Sequence, residues 1–203
     1  MFYRPGLDPH NLPHNPFKAL VAPRPIGWIS TLDPDGRANL APYSFFNAVA
    51  DAPPMVIYAN NGRKPELATR KDTLANLRET GEFVCNIVPH HLRDAMNLSS
   101  GGYPPGTDEF ELAGLTAAPC EVVAPPRVAE APAALECRVW RIVELPGEDN
   151  TLVIGEVVGV HIDDSILRDG KVDVTRYQPL SRLGYRDYAS ISEVFALGRP
   201  GEK

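Results

Sequence analysis

Two stretches carry residue types that could hold a ligand. Lys71-Asp72-Thr73 stands at the start of an expected helix, where the first backbone N–H groups lack partners and the helix dipole favours an anion. A lysine before the cap and a threonine hydroxyl at it would complete a small phosphate cradle. The same residues equally suit an ordinary capped helix with a solvated lysine. Arg24, Arg63, Lys64 and Arg70 add positive charge ahead of that helix. Most of these read as a solvated run, but Arg24 differs, because Pro23 and Pro25 stiffen the backbone on both sides of it.

The second stretch runs from Pro42 to Ala48. Tyr43-Ser44-Phe45-Phe46-Asn47 sets small hydrogen-bonding side chains among three aromatics. Pro42 removes a ladder donor, so irregular backbone with free N–H and C=O groups is expected there. A planar heteroaromatic ligand needs such groups at its polar edge and apolar area against its face. A β-bulge with a satisfied aromatic cluster fits the same residues. Ser30-Thr31 ends the preceding strand and is expected near the same rim as Tyr43–Asn47 if the hairpin pairs around Asp33–Gly36.

Other candidates are weaker. Ser30 and Ser44 have no His and Asp at a nucleophile elbow, and GxSxG is absent, which argues against serine hydrolase chemistry. Cys85 occupies an apolar strand position, where an inert thiol is the default. Cys85, Cys120 and Cys137 are scattered without CxxC or a paired histidine, so neither a disulfide framework nor a metal site is expected. His161 ends an alternating strand and reads as a packed or exposed side chain.

The elements that must position these residues are mostly strands. "PIGWISTL", "DPDG" and "RANLAPY" form a hairpin signal, with a preset φ at Pro34 and positive φ available at Gly36. "MVIYA" and "EFVCNIV" read as strands, and the helix between them is capped at Asp72 or Thr73 and ends at Gly81. Shorter helices are expected over 90–99 and at Asp108–Leu112. "ALECRVWRIVEL" and "TLVIGEVVGVHI" make a long hairpin through 146–150. With 21 prolines breaking helices, roughly seven strands and no GxGxxG, the pattern predicts a mainly β, antiparallel Greek-key barrel with a few rim helices.

The chain has 203 residues, 43% hydrophobic and 23% charged, which suits one domain over 1–203 with its core at about 15–190. Its net charge of −6 argues against nonspecific nucleic-acid binding. No apolar run approaches the ~20 residues that cross a bilayer. The start, MFYRPGLDPHN, lacks a secretory apolar core, so a cytoplasmic location is expected.

In order, RPIGWISTLDPDGRANLAPYSFFNAV, PPMVIY and KDTLANLRETGEFVCNIV resemble the flavin reductase-like family, whose fold is the FMN-binding split barrel. "LVIGEVVGVHIDDSIL" and "PLSRLGYRDY" look like its closing strands and C-terminal segment. The resemblance implies a homodimer that binds FMN in a groove at the subunit interface. It sets the ring edge against Pro42, Tyr43, Ser44, Asn47 and Ala48, with Ser30 and Thr31 flanking the ribityl chain or ring. It gives the phosphate to Lys71, Asp72 and Thr73. It also implies NAD(P)H as electron donor and a flavin, metal or redox partner protein as acceptor. The alternative is a flavoredoxin-like carrier that holds FMN without catalysing NAD(P)H oxidation. Hydride transfer requires no protein acid or base, and His161 and Tyr185 are the only polar rings singled out for testing.

Overall fold

The computed structural model describes residues 1–62 and 72–201. The first hairpin forms as its turn chemistry dictates. Gly36 takes φ +82°, and Asp33 Oδ1 accepts from the amides of Asp35 and Arg37 at 2.9 and 2.8 Å. Before it stand α1 (Phe17–Leu20) and β1 (Arg24–Pro25); the hairpin itself is β2 (Gly27–Leu32) and β3 (Ala38–Tyr43). A second hairpin follows, β4 (Phe46–Asp51) and β5 (Pro54–Asn61). Helix α2 (Asp72–Thr80) then leads into β6 (Glu82–Ile87). Gly81, at φ +71°, ends the helix, and its amide donates to Leu77 O.

Short helices α3 (Arg93–Leu98) and α4 (Glu109–Leu112) precede a small ladder of β7 (Ala117–Ala118) with β8 (Arg127–Val128). The long hairpin is β9 (Ala133–Glu144) and β10 (Asn150–Ile162). The chain closes through β11 (Leu167–Arg168), β12 (Lys171–Val172), α5 (Val174–Tyr177), β13 (Leu180–Arg182) and β14 (Tyr188–Ser190).

Seven strands make the main sheet in the order β3-β2-β6-β9-β10-β5-β4, every pair antiparallel. β3 and β5 lie near opposite ends of that order, yet the rings of Tyr43 and Tyr58 stand 4.7 Å apart. The sheet therefore coils into a barrel. Among the described residues no ladder joins β3 to β4, which leaves the barrel split there. A separate sheet, β1-β13-β14, ties the N-terminal approach to the C-terminal segment.

β2 is buried on both faces, which is why it reads as a continuous apolar run. Ile29 points into the barrel with Tyr58, Phe83 and Val153, and Leu74 and Leu77 of α2 close that core. Trp28 points the other way, against Leu40, Met96 and Phe110. Its indole N–H donates to Ser99 Oγ at 2.9 Å. Each such side chain contributes about 1.5–3 kcal/mol on full burial.

Pro42 sits inside β3 without breaking it, because β3 is an edge strand. Leu40, two residues earlier and so on the same side, donates its amide outward to Glu109 Oε2 at 2.9 Å. The donor that Pro42 lacks would also have faced away from β2.

The pairing register corrects one expectation. Thr31 pairs with Asn39 and Ser30 with Leu40, beside the turn, whereas Tyr43 pairs with Gly27. Ser30-Thr31 and Tyr43–Asn47 therefore stand at opposite ends of the hairpin. In a tight antiparallel hairpin, residues equally far from the turn are neighbours, and these two pairs are not.

Candidate functional site

The start of α2 is welded to the β2–β3 hairpin. Thr73 is buried, and its hydroxyl donates to Asn39 Oδ1 at 2.7 Å. Asn39 Nδ2 in turn donates to Glu109 Oε2 at 2.9 Å. One helical turn on, Asn76 Nδ2 donates to Thr31 Oγ1 at 3.0 Å. Asp72 lines a cavity of about 360 Å³ together with Arg37, Asn39, Asn76 and Thr107. Lys71, like Arg63, Lys64 and Arg70, lies outside the described residues.

Ser30 is wholly buried. Its hydroxyl donates to the Pro126 carbonyl and accepts from Asn86 Nδ2. Thr31 is also wholly buried. Both side chains lock the barrel to its surroundings.

At the split of the barrel the geometry changes. Tyr43 is buried beside Tyr58, and its hydroxyl meets Asn60 Oδ1 at 3.4 Å. Burial holds the Tyr43 phenol well above its usual pKa, with Thr73 opposing as a hydrogen-bond partner, so the ring stays neutral. Ser44 and Phe45 belong to no strand, while Asn47 and Ala48 lie in the exposed edge strand β4, which begins at Phe46. The Asn47 side chain accepts from the Ala48 amide at 2.9 Å.

Ser44 lines a second cavity, of about 440 Å³, with Lys18, Arg24, Arg182 and Tyr185 among its walls. Lys18 Nζ and the Arg24 guanidinium stand 5.9 and 5.8 Å from the Phe45 ring centroid. Volumes of this order suit small-molecule sites, which run to ~300–1,000 Å³.

His161 is not among the residues lining either cavity. Its Nε2 lies 2.6 Å from Glu136 Oε1, and ligand atoms of Cys120, Glu136 and His161 fall within 4.8 Å of one another. The carboxylate is already filled: the amides of Glu121, Val122 and Val123 donate to it as well. Burial, then the Glu136 charge, push the Cys120 thiol up to about 11, so it stays protonated near neutrality.

The structure thus brings Ser44 together with Tyr185 and leaves His161 elsewhere. Sequence reasoning passed over Lys18, Arg182, Asn39 and Glu109. Only Arg24 carried a local signal, its flanking prolines; the others acquire their roles through contacts distant in sequence.

The chain is an antiparallel barrel split beside an aromatic segment, with a ligand-sized cavity at the split. Residues 20–181 match the flavin reductase like domain, and the chain belongs to that family. An uncharacterized protein of Halalkalibacterium halodurans is 40% identical over 184 residues, spanning 89% of this chain and 87% of its own. Among solved structures, nitrilotriacetate monooxygenase component B from Bacillus cereus is 33% identical with a TM-score of 0.88, covering 97% of this chain and 98% of that one. Flavoredoxin of Desulfovibrio vulgaris is 26% identical with a TM-score of 0.78, covering 90% and 94%.

Proposed function

We propose that this protein is an FMN-dependent oxidoreductase of flavin reductase type, moving electrons from NADH or NADPH to a flavin, metal or protein acceptor. The observation that carries the reading is the Ser44-Phe45 bend between β3 and β4 at the barrel split, where Ser44 opens on a cavity in a chain of this family. The residues fit a flavin in kind. Pro42 and Tyr43 end β3 with a ring, Ser44 supplies the bend that follows, and the exposed Asn47-Ala48 stretch of β4 continues that edge. The start of α2 at Lys71, Asp72 and Thr73 would receive the phosphate through the lysine and the first backbone amides, because the Thr73 hydroxyl expected to join the cradle is buried and donates to Asn39. Ser30 and Thr31 serve this reading from behind, by fixing the hairpin to Asn86 and Asn76.

Bound FMN would supply hydride acceptance and electron delivery, which side chains cannot. The chain's part is to orient the ring, keep Tyr43 neutral and hold the helix start rigid. FMN is expected to bind at least ~10-fold more tightly than riboflavin, about 1.4 kcal/mol, because the helix start has a use for a phosphate. Fluorescence-quenching titrations with both ligands measure this, and equal affinities would refute the phosphate assignment.

A homodimer belongs to the same reading. β4 is an edge strand with its last five residues exposed, Val49 among them, and unprotected edges invite pairing. Light scattering at micromolar concentration should give twice the mass of the 22.2 kDa chain; a monomer with FMN bound would contradict it. The flavoredoxin likeness favours a second reading, an electron carrier without NAD(P)H turnover. A cytoplasmic location fits both readings; among the described residues no helix is long and apolar enough to cross a membrane.

A further inference from the structure

Arg24 and Arg182 are direct cross-strand partners in the ladder of β1 with β13. Like charges placed opposite on neighbouring strands are destabilising. Among the described residues no carboxylate lies within ion-pairing distance of either guanidinium, or of Lys18. All three cations line the cavity that Ser44 opens on. In a chain with a net charge of −6, this is positive charge gathered locally, with no counter-ion among the described residues.

The two arginine side chains are held in place. Arg24 is buried and donates to the carbonyls of Lys18, Val21 and Leu183, while its Nε has no partner among the described residues. Burial, then the neighbouring Arg182 charge, lower its pKa from the ordinary value. Arg182 donates to the Tyr185 carbonyl and the Tyr188 hydroxyl, with its guanidinium 4.4 Å from the Tyr188 ring centroid. Tyr185 is left-handed at φ +55° and half exposed. Non-glycine residues held in that region concentrate at ligand sites. The wall is preformed: a Cβ at Gly184 would come within 2.8 Å of Ala19 Cα, so α1 packs directly on this loop.

We propose that this cavity is an anion subsite for the second substrate, taking a carboxylate or phosphate attached to a planar ring system. Lys18, Arg24 and Arg182 neutralise the anion, and Tyr185 walls the ring beside Ser44. The inference rests on the flavin reading of the Ser44 segment and adds the charge class of what meets the flavin there. An anion relieves the Arg24–Arg182 repulsion, so binding should be selective for charge more than for ring identity.

Calorimetric titration of the FMN-loaded protein tests this in two arms. One compares benzoate with neutral benzamide. The other compares the unreactive tetrahydro form of NADH with its phosphate-free nucleoside. The anion should bind at least ~10-fold tighter than its neutral counterpart in one arm or both, and the responding arm identifies the source of the anion. Lys18→Gln, a change at an exposed position, should cut that preference at least ~3-fold, and Lys18→Gln with Arg182→Gln should nearly abolish it. Equal binding of charged and neutral ligands would overturn the proposal, as would a preference that survives in both variants. Displacement of FMN by the anion would overturn it too, since the cavity would then belong to the cofactor. If the protein takes up no FMN at all, the flavin reading itself falls and this subsite falls with it.

Discussion

Glu136→Ala is expected to destabilise the fold by about 3–5 kcal/mol, through the backbone donors it leaves without an acceptor. Glu136 is 1% exposed. Its Oε1 accepts from the Glu121 amide at 2.9 Å and faces His161 Nε2 at 2.6 Å. Its Oε2 accepts from the amides of Val122 and Val123 at 2.6 and 2.9 Å. Alanine would leave three loop amides without acceptors, each costing about 1–3 kcal/mol where water cannot replace the carboxylate. Urea denaturation should show a lower midpoint with an unchanged slope. A loss below about 1 kcal/mol would mean that the loop readily finds other partners.

The same carboxylate predicts acid sensitivity. Burial alone would raise its pKa, but the three amide donors and His161 together outweigh burial and hold it below the ordinary 4.5. A carboxyl depressed on folding contributes stability that is present above its unfolded value. That stability is lost as pH falls through the lower, folded value. Glu136→Gln should therefore flatten the acid limb of the stability profile while lowering its plateau.

Gly155→Ala is the second large effect, at about 1–3 kcal/mol or more from overpacking. A Cβ at Gly155 would lie 2.6 Å from Phe83 Cε1, inside a core where Phe83 is wholly buried. Phe83 cannot swing away, because its ring also packs edge-on against Tyr58 at 5.8 Å. The register of β9 with β10 shifts beside Gly155, which fits a glycine retained for close approach. Thermal unfolding measures the cost, and an unchanged Tm would show that the backbone yields at the facing bulge of β9.

Much of this architecture was legible in the sequence because it is local. Asp33–Gly36 encodes its turn, Asp72 and Gly81 bracket α2, and alternation across 146–150 marks the long hairpin. The seven strands of the main sheet match the number expected, while the two- and three-residue strands were too short to leave a pattern. Partners distant in sequence were not legible. Nothing near Arg24 announces Arg182, and nothing near Glu136 announces the loop it anchors. The sequence sets the Ser30-Thr31 hydroxyls beside a ligand, and only the two-sided burial of β2 shows that they face Asn86 and Asn76. For the candidate site, the aromatic mixture at Tyr43–Asn47 was the informative signal; its cationic neighbour arises from α1 and β13 meeting in space.

The most direct test of the account is the visible spectrum of the FMN-loaded protein under strict anaerobiosis, with NADH and NADPH added in turn. In an open flavin groove, hydride transfer depends on contact geometry and needs no separate nucleotide-binding domain. The account predicts bleaching of the flavin band by at least one of the two nucleotides. Bleaching by dithionite but by neither nucleotide would contradict the reductase and leave the electron carrier in its place.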